Sequence, residues 1–325
     1  MLKQEIEDGQ VSLADPQFRA DVLTGLALRP RAIPARWFYD RRGSELFEDI
    51  TDLPEYYPTR TEVGILASIG DDLASRVPAG AAVVEFGSGS SMKTPRLLEA
   101  VRPAAYVPID ISGDFLRDSA ATIAAAFPGI SVAPLEGDFT RPLKLPDSVA
   151  DMPKLGFFPG STIGNMLAAG AVDLLRSMRV SLGEGALLLI GIDRIKAVDV
   201  LVAAYDDAAG VTGAFNLNLL TRINRELGGT IPVDAFCHRA IWNDDRARSE
   251  MHLEATRDVT FEVDGRMFEI AAGETIHTEN SHKYGPRDAR LLLRGGGWTP
   301  IAEWTDPEDR FALILAEAQV ERQAP

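Results

Sequence analysis

Apolar segments and amphipathic segments alternate along the central part of the chain. Between the apolar runs, apolar residues recur at helical spacing, as in Leu116, Ala120 and Ile123. This alternation predicts an α/β fold with a parallel sheet, right-handed crossovers and a ligand at the carboxyl ends of the strands. The predicted buried strands cover residues 82–86, 105–110, 130–135, 155–158 and 186–192. The predicted helices between them include the stretch from Val172 to Leu182.

The first 60 residues do not follow this alternation. Residues 16–60 predict short helices interrupted by prolines, and their dense aromatic residues predict a hydrophobic cap. Thr59 and Glu62 match a capping box, which predicts that a helix begins there and ends before Pro78.

The pattern changes again after Asp193. Two helical stretches, 198–205 and 215–227, precede residues 236–281, which alternate with the period of strands. Asn243-Asp244-Asp245 and Asp264-Gly265 are turn signals within that segment. The remaining residues return to the first pattern, with a predicted helix at 287–294 and predicted strands at 298–304 and 311–316.

These patterns predict two domains in the 325 residues. Segment 195–283 is predicted to be an insertion between the fifth and sixth strands of a seven-stranded sheet. We therefore expect one domain from residues 61–194 and 284–325. A second, α+β domain would comprise residues 1–60 and 195–283.

Composition narrows the classes of ligand. The formal net charge is −15, without a cluster of Lys and Arg, which argues against nucleic acid and anionic membranes as partners. A small-molecule substrate is expected instead. One cysteine and four scattered histidines give no recognised metal-ligand spacing, so no metal is predicted. The N-terminal sequence lacks the apolar core of a signal peptide, and the expectation is a cytoplasmic monomer.

Three consecutive predicted strands end in groups suited to a nucleotide. The first runs into Glu85-Phe86-Gly87-Ser88-Gly89-Ser90, where glycines let the backbone approach a ligand. The second ends at Asp110, about 20 residues on, the spacing at which a carboxylate can accept ribose hydroxyls. The third is followed by Gly137-Asp138-Phe139, which adds a carboxylate and an aromatic ring.

The glycine loop favours S-adenosylmethionine over other nucleotides. Met92 stands where a P-loop requires its second glycine and where the dinucleotide fingerprint requires its third. Ser90 and Lys93 match a penicillin-recognising serine enzyme by spacing, but the Lys-Thr-Gly partner is missing. S-adenosylmethionine has no pyrophosphate and tolerates a looser loop.

Longer motifs carry a resemblance that extends from about residue 30 to the end of the chain. They are Trp37-Phe38-Tyr39-Asp40, Leu53-Pro54-Glu55-Tyr56-Tyr57-Pro58-Thr59-Arg60, Glu85-Phe86-Gly87-Ser88-Gly89, Gly160-Ser161-Thr162-Ile163-Gly164-Asn165, Ala204-Tyr205-Asp206-Asp207, Ile223-Asn224-Arg225-Glu226-Leu227 and Thr278-Glu279-Asn280-Ser281. With them the chain resembles the L-histidine Nα-methyltransferases of ergothioneine biosynthesis. The resemblance implies a Rossmann-like, seven-stranded class I methyltransferase sheet, and trimethylation of L-histidine to hercynine with S-adenosylmethionine as methyl donor.

The resemblance also implies roles for individual residues. Those implied for the cofactor are Gly87 and Lys93 near the methionine tail, Asp110 on the ribose, and Asp138 with Phe139 at the adenine. Gly160 is a further implied cofactor-binding residue. Those implied for the substrate are Tyr56, Asn165 and Tyr205 on the carboxylate and amine, Glu279 and Ser281 on the imidazole, and Phe47 and Met251 as walls. Tyr39 joins Asn165 in holding the reacting nitrogen.

The spacing of Glu279 and Ser281 agrees with this assignment. Residues two apart in a strand project from the same face, so both side chains can reach the two nitrogens of one ring. Each assignment also has an ordinary structural interpretation. Tyr56 and Tyr205 would then be surface tyrosines, Asn165 a helix cap, Glu279 a solvated strand residue and Met251 core packing. His277 and His282 are expected to be structural, because opposite parity points them to different faces.

Two other functions stay open at this point. The enzyme could methylate another aromatic amino acid or amine, and Glu279 with Ser281 is the feature that favours imidazole. Alternatively, the chain could be a non-catalytic protein that binds S-adenosylmethionine and assists a partner enzyme. The glycine loop and the polar residues argue against that second alternative.

Overall fold

A computed structural model describes residues 15–89, 93–111 and 113–319. The N-terminal sequence used for the signal-peptide argument lies outside these residues, as do Ser90 and Met92 of the glycine loop. Within the described ranges, no helix combines the length and the apolar character needed to cross a membrane.

The elements follow the predicted alternation closely. The helices are α1 Pro16–Ala27, α2 Arg41–Thr51, α3 Tyr57–Arg76, α4 Thr94–Val101, α5 Gly113–Ala126, α6 Ala168–Leu182, α7 Val198–Ala203, α8 Val211–Leu227 and α9 Pro286–Gly295. The strands are β1 Arg31–Ala32, β2 Ala82–Phe86, β3 Ala105–Asp110, β4 Ser131–Val132, β5 Leu135–Glu136, β6 Lys154–Phe158, β7 Leu187–Asp193, β8 Phe236–Asn243, β9 Arg248–Ala255, β10 Val259–Val263, β11 Arg266–Ile270, β12 Thr275–His282, β13 Trp298–Thr305 and β14 Phe311–Ala318.

The main sheet has the strand order β13-β14-β7-β6-β2-β3-β4, and β5 also pairs with β3. Strands β2, β3, β4, β5, β6 and β7 pair in parallel, whereas β14 is antiparallel to both β7 and β13. Because β4 and β5 both lie beside β3, the sheet has seven positions. The predicted class I methyltransferase sheet is confirmed, including its antiparallel end.

The central strands β2, β3, β6 and β7 are buried on both faces, which explains why they are nearly continuous apolar runs. Val84 and Phe86 belong to one hydrophobic cluster, on the face covered by α6 and α9. Val83 belongs to the other cluster, which includes residues of α3 and α4. Successive residues of β2 therefore alternate between two cores.

Two local predictions are wrong. The capping box does not start α3, because that helix begins at Tyr57 and its N-cap, Tyr56, makes no side-chain capping bond. Pro58 in the first turn needs no amide donor there and fits this earlier start. The predicted strand over 130–135 consists instead of the two short strands β4 and β5, with Pro134 between them. Proline has no amide hydrogen to donate to a ladder, so the strand is interrupted.

The inserted segment, together with β1, forms two further sheets. One has the order β1-β12-β9-β8, and a separate antiparallel pair consists of β10 and β11. Val263 pairs with Arg266, so Asp264 and Gly265 form a two-residue turn, and both have positive φ (49° and 73°). This is the geometry of a type I′ hairpin, as the Asp-Gly signal predicted.

The chain divides into two compact units. The first runs up to Ile50 and includes Tyr205–Ile241 and Glu250–Glu279; the second comprises Thr51–Ala204, Trp242–Ser249 and the chain from Asn280 onward. The predicted domains differ from these units at residues 51–60, 195–204, 242–249 and 280–283. The units divide the chain within β8, β9 and β12. The domain boundaries remain a prediction.

Close packing of α9 against α6 gives a test of the second unit. A β-carbon at Gly296 would lie 2.3 Å from the Leu175 Cβ, whereas one at Gly295 would lie 3.6 Å from the Val172 Cγ2. We expect Gly296→Ala to lower the free energy of unfolding by about 1–3 kcal/mol through overpacking. Gly295→Ala is the matched control and should leave it unchanged or raise it by about 0.5–1 kcal/mol. Urea denaturation measures both, and equal effects would contradict the packing described.

Candidate active site

The glycine loop after β2 is hydrogen-bonded to the end of β3. The amides of Gly87 and Ser88 both donate to the carbonyl of Ile109, at 2.9 and 3.1 Å. The amide of Gly89 donates to the Asp110 carboxylate at 3.3 Å. Gly87 has φ of 76°, so only glycine adopts this turn without strain. The structure thus brings the predicted turn and the predicted ribose-binding carboxylate together.

An aromatic ring covers the same turn. A β-carbon at Gly87 would lie 3.4 Å from the Phe139 Cε1, and the Phe139 ring lies 6.2 Å from Phe86 and 6.0 Å from Phe158. Phe139 is therefore held beside the loop, and its place at the adenine remains a prediction. The neighbouring Asp138 accepts from the amide and hydroxyl of Thr140, at 3.0 and 2.6 Å, and so stabilises its own turn.

Glu62 organises the other side of this loop. Its Oε2 accepts from Lys93 Nζ at 2.5 Å and from the Gly160 amide at 2.8 Å. The Glu62 side chain is fully buried, and its Oε1 has no hydrogen-bond partner among the described residues. Glu62 therefore joins two predicted cofactor residues. Sequence reasoning missed this role by assigning Glu62 to a helix cap.

The spacing of apolar residues in α3 indicates that Glu62 is buried. It lies four residues before Leu66, on the apolar stripe that α3 buries. A glutamate on such a stripe is buried, and a buried carboxylate needs a partner. Gly160 has φ of 78°, and a β-carbon there would lie 3.2 Å from Lys93 Nζ. The glycine lets the loop after β6 approach the lysine.

Glu85 is a second buried carboxylate that the motif contained but to which no role was assigned. It accepts from Thr94 Oγ1 at 2.7 Å and from the Tyr106 hydroxyl at 2.5 Å. Burial raises the pKa of Glu85 to about 7, although both hydrogen bonds and Lys93 act to lower it. The carboxyl thus titrates near neutral pH directly before the glycine loop.

Asp193, the last residue of β7, is the centre of a buried charge cluster. Its Oδ2 lies 2.7 Å from Lys283 Nζ, and its Oδ1 lies 2.6 Å from Lys196 Nζ. The Tyr57 hydroxyl donates to the same carboxylate at 2.7 Å. Burial acts to raise the pKa of Asp193, but the two ammonium groups outweigh it and hold that pKa below its usual value. Desolvation lowers the pKa of Lys196 to about 8.

The cluster fixes three segments that carry predicted substrate residues. Tyr57 directly follows Tyr56. The Asp193 amide donates to Ser161 Oγ at 2.9 Å, at the start of the 3-10 turn that ends at Asn165. Lys283 Nζ donates to Ser281 Oγ at 2.8 Å. In the second unit, Tyr56, Asn165 and Ser281 therefore all lie on segments joined to one residue, Asp193, through its carboxylate or its backbone amide.

A further contact joins the 3-10 turn that ends at Asn165 to the end of β12. His282 Nδ1 lies 2.8 Å from the Gly164 carbonyl. A β-carbon at Gly164 would lie 2.7 Å from the backbone oxygen of His282, so this close approach needs a glycine. The His282 ring therefore joins the end of β12 to this turn.

The remaining predicted substrate residues lie in the first unit. The Tyr39 ring packs 5.6 Å from Phe47 and 5.8 Å from Phe215. Burial most of all, and then the charges of Glu279 and Tyr205, raise the pKa of Tyr39. Tyr39 nevertheless stays 43 % exposed, so a ligand can reach it. Tyr39 thus packs with Phe47 and interacts electrostatically with Glu279 and Tyr205. The substrate-binding roles of these residues remain a prediction.

Backbone contacts hold two of these substrate residues. The Tyr205 carbonyl bonds to His238 Nε2 at 2.7 Å, and the Tyr205 side chain is only 8 % exposed. The Met251 carbonyl accepts from Thr278 Oγ1 at 3.0 Å, and Met251 is buried. Tyr205 is therefore no surface tyrosine.

Three side chains of the inserted segment form a group that sequence spacing did not suggest. His252 Nε2 lies 3.0 Å from the Glu250 carboxylate, and the His252 ring stacks on His277 at 4.6 Å. His277 Nε2 bonds to the Glu279 carbonyl at 2.9 Å. Glu250, His252 and His277 each have one atom that could bind a metal ion, and these three atoms all lie within 4.8 Å of one another. His277 thus supports the backbone at Glu279.

Comparison with known proteins decides the family. Residues 18–318 match the family described as histidine-specific, S-adenosylmethionine-dependent methyltransferases. The chain belongs to this family. It is therefore an S-adenosylmethionine-dependent methyltransferase, and the turn at Gly87 with the carboxylate of Asp110 suits that nucleoside.

Individual relatives agree with the family. The chain is 43% identical to the histidine N-alpha-methyltransferase of Mycolicibacterium smegmatis, over 92% of this chain and 94% of the relative. It is 39% identical to that of Mycobacterium tuberculosis, with the same coverage. Among solved structures, the S-adenosylmethionine-bound amino pentose methyltransferase CalS10 from Micromonospora echinaspora is 12% identical, with a TM-score of 0.44, over 86% of this chain and 98% of that one.

The raised pKa of Glu85 predicts a pH effect on stability. The folded carboxyl binds its proton up to about pH 7, whereas the unfolded one releases it near 4.5. Wild-type stability should therefore fall as the pH rises from 5 to 8, by up to about 3 kcal/mol from this group. Glu85→Gln, which cannot ionise, should lack that part of the fall. Urea unfolding of both proteins at the two pH values measures it; parallel pH profiles would contradict the assignment.

Proposed function

We propose that this methyltransferase transfers methyl groups to the α-amino nitrogen of L-histidine, in three rounds, to give the trimethylammonium betaine hercynine. The observation that carries the proposal is the placement of Glu279 and Ser281 two residues apart in β12. Side chains at this spacing project from one face of a strand. A carboxylate and a hydroxyl so placed can each bond one ring nitrogen of an imidazole.

The cofactor would bind at the carboxyl ends of β2, β3 and β6. Asp110 would accept the ribose hydroxyls, and the loop at Gly87 would lie under the nucleoside with Phe139 beside the adenine. Asp138 would complete the adenine site. Lys93 and Gly160, both held by Glu62, would contact the methionine tail. The bound sulfonium supplies an electrophilic methyl group, so the protein's own task is alignment.

The amino acid end of histidine would be held by hydroxyls and one amide. Tyr56, Asn165 and Tyr205 would bind the carboxylate and amine, and Tyr39 with Asn165 would orient the α-nitrogen. The nitrogen must be neutral to attack. Since the pKa of Tyr39 is raised, its phenol stays protonated and serves as a hydrogen-bond donor rather than as a base. The proton would leave through water.

Aromatic rings suit repeated methylation. Each transfer leaves a bulkier and finally permanent cation, and ring faces attract such cations without requiring N–H donors. Tyr39 and Phe47 lie with their rings 5.6 Å apart in the first unit. Phe47 and Met251 would form the walls of the substrate site. We further propose that the enzyme acts as a cytoplasmic monomer without nucleic-acid or membrane partners, in line with its net charge of −15.

A product assay tests the proposal. With labelled S-adenosylmethionine and a panel of amino acids, mass analysis should find mono-, di- and trimethylated histidine and little product from tryptophan or tyrosine. Methylated tryptophan or tyrosine with histidine untouched would establish the other-amine alternative. Binding of the cofactor without S-adenosylhomocysteine formation from any amine would establish the non-catalytic alternative.

Removal of the predicted imidazole-binding carboxylate tests substrate selection. Glu279→Ala should lower kcat/KM for histidine by about 10³-fold or more, since a site built around a polar contact discriminates strongly. Its preference for histidine over tryptophan should fall with it. Glu262→Ala, an exposed carboxylate of β10 in the same unit, is the matched control and should change neither. An unchanged preference in Glu279→Ala would show that this residue does not bind the ring.

A further inference from the structure

Asn216, a fully buried residue of α8, links that helix to three strands of the first unit. Its side-chain nitrogen lies 2.9 Å from His238 Nδ1 on β8 and 3.1 Å from the His252 carbonyl on β9. Its side-chain oxygen lies 2.8 Å from Thr278 Oγ1 on β12. All three amide contacts therefore go to separate strands.

The orientation of the Asn216 amide follows from its backbone partner. A carbonyl oxygen can only accept, so the amide nitrogen, and not the amide oxygen, must face the His252 carbonyl. The second hydrogen of that nitrogen is then available to His238 Nδ1. The amide oxygen accepts from the Thr278 hydroxyl, whose single hydrogen is shared with the Met251 carbonyl. These contacts agree with only one orientation of the amide.

Two partners fix the hydrogen position on the His238 ring. The Tyr205 carbonyl, 2.7 Å from Nε2, can only accept, so Nε2 carries a hydrogen. Asn216 donates to Nδ1, so Nδ1 presents a lone pair. His238 is therefore the neutral Nε2–H tautomer. An imidazolium would place a second N–H group against the Asn216 amide hydrogens, and the amide could not turn to accept it without losing the His252 carbonyl.

The electrostatics of His238 favour the same neutral form. Burial, the largest effect, lowers the pKa of His238 below its ordinary value of 6.5, and the charge of His252 acts in the same direction. The bond to the Tyr205 carbonyl and the charges of Asp206 and Asp207 act to raise that pKa but do not outweigh burial. Other titratable groups on β8, β9 and β12 are Arg239, Glu250, Glu254 and His277.

Both ends of this network adjoin proposed substrate residues. His238 bonds to the backbone of Tyr205, which would bind the amino acid end of histidine. Thr278 directly precedes Glu279, which would bind the imidazole. One buried amide is thus joined to the backbone at both positions.

We propose that Asn216 is a positioning residue, which holds His238 as the neutral Nε2–H tautomer and thereby orders Tyr205 and Glu279 for one substrate. The inference rests on the proposed function for the roles of Tyr205 and Glu279. It adds Asn216 and His238, to which the family resemblance assigned no role.

NMR of the unaltered enzyme tests the tautomer directly. The chain has four histidines, so their 15N-labelled ring signals can be assigned from the loss of each signal in a single substitution. We expect His238 to show a protonated Nε2 and an unprotonated Nδ1 at pH 7, and a titration midpoint below pH 6.5. A protonated Nδ1 at pH 7 would overturn the inference.

Substitution of Asn216 tests its control of the His238 ring. In Asn216→Asp a carboxylate can accept from Nδ1–H, so we expect the titration midpoint of His238 to rise by about 1 pH unit or more. Asn216→Leu removes the donor without supplying an acceptor, and should raise the midpoint by less. Unchanged midpoints in both variants would show that Asn216 does not fix the tautomer.

Substitution of His238 separates positioning from packing. Glutamine offers an amide donor for the Tyr205 carbonyl and an oxygen that accepts from Asn216, as the neutral ring does, whereas leucine offers neither. With saturating S-adenosylmethionine, His238→Leu should raise the KM for histidine by about tenfold and His238→Gln by less than about threefold. The Kd of S-adenosylhomocysteine should stay the same in both, because the proposed cofactor residues belong to the second unit. Equal KM values for the two variants would contradict the proposed hydrogen bonds.

Asn224→Leu is the matched control for Asn216→Leu. Asn224 lies on the same helix and makes two hydrogen bonds with the Ile231 backbone, at 2.8 and 2.9 Å, but Ile231 adjoins no proposed substrate residue in the sequence. Both substitutions should lower the free energy of unfolding in urea. Only Asn216→Leu should raise the KM for histidine, by about tenfold. An equal rise in Asn224→Leu would indicate a general loss of packing and overturn the inference.

Failure of the proposed function gives a different result. If the unaltered enzyme neither binds nor methylates histidine, the roles of Tyr205 and Glu279 are wrong, and the inference fails with them whatever the tautomer of His238. If the enzyme methylates histidine but His238→Leu keeps the wild-type KM, only the inference fails.

Discussion

The ionic contact between the Asp193 carboxylate and two lysines is the constraint on which the proposed substrate residues of the second unit depend. These residues are Tyr56, Asn165 and Ser281. A carboxylate that is 99 % buried would be costly alone, and a buried pair remains stable only while both partners and their hydrogen bonds are in place. Here the carboxylate holds Tyr57, Lys196 and Lys283, while its backbone amide holds Ser161. Segments far apart in sequence are thereby fixed at the end of β7.

Glu62 has the corresponding position on the cofactor side. It too is a buried carboxylate, and it joins a lysine after the glycine loop to a glycine amide after β6. Asp193 is the last residue of β7, and Glu62 lies in the second turn of α3, a helix that packs on the sheet. Lys93, Gly160 and Asn165, three of the proposed ligand contacts, come from loops and turns bonded to Glu62 or to Asp193. In this arrangement the buried charges belong to supporting residues and not to the groups that would contact the ligand. The supporting residues also limit the movement of those groups before a ligand binds.

The sequence predicted the centre of the sheet well because the strands there are buried on both faces and consist of apolar runs, such as 82–86 and 186–192. It predicted the start of α3 wrongly. The capping-box pattern assigns Glu62 to the helix cap, whereas its carboxylate contacts Lys93 and the Gly160 amide. The charge cluster could not be predicted from local pattern. Lys283 lies 90 residues after Asp193, and only the fold brings them to 2.7 Å. Buried lysines carry no periodic signal of their own.

The most direct test of the account is a crystal structure of the ternary complex with S-adenosylhomocysteine and histidine. We expect Glu279 and Ser281 to bond the two ring nitrogens, Lys283 Nζ to keep its bond to Ser281, and the α-nitrogen to lie in line with the sulfur. An imidazole ring bound away from β12, with Glu279 facing solvent, would contradict the account.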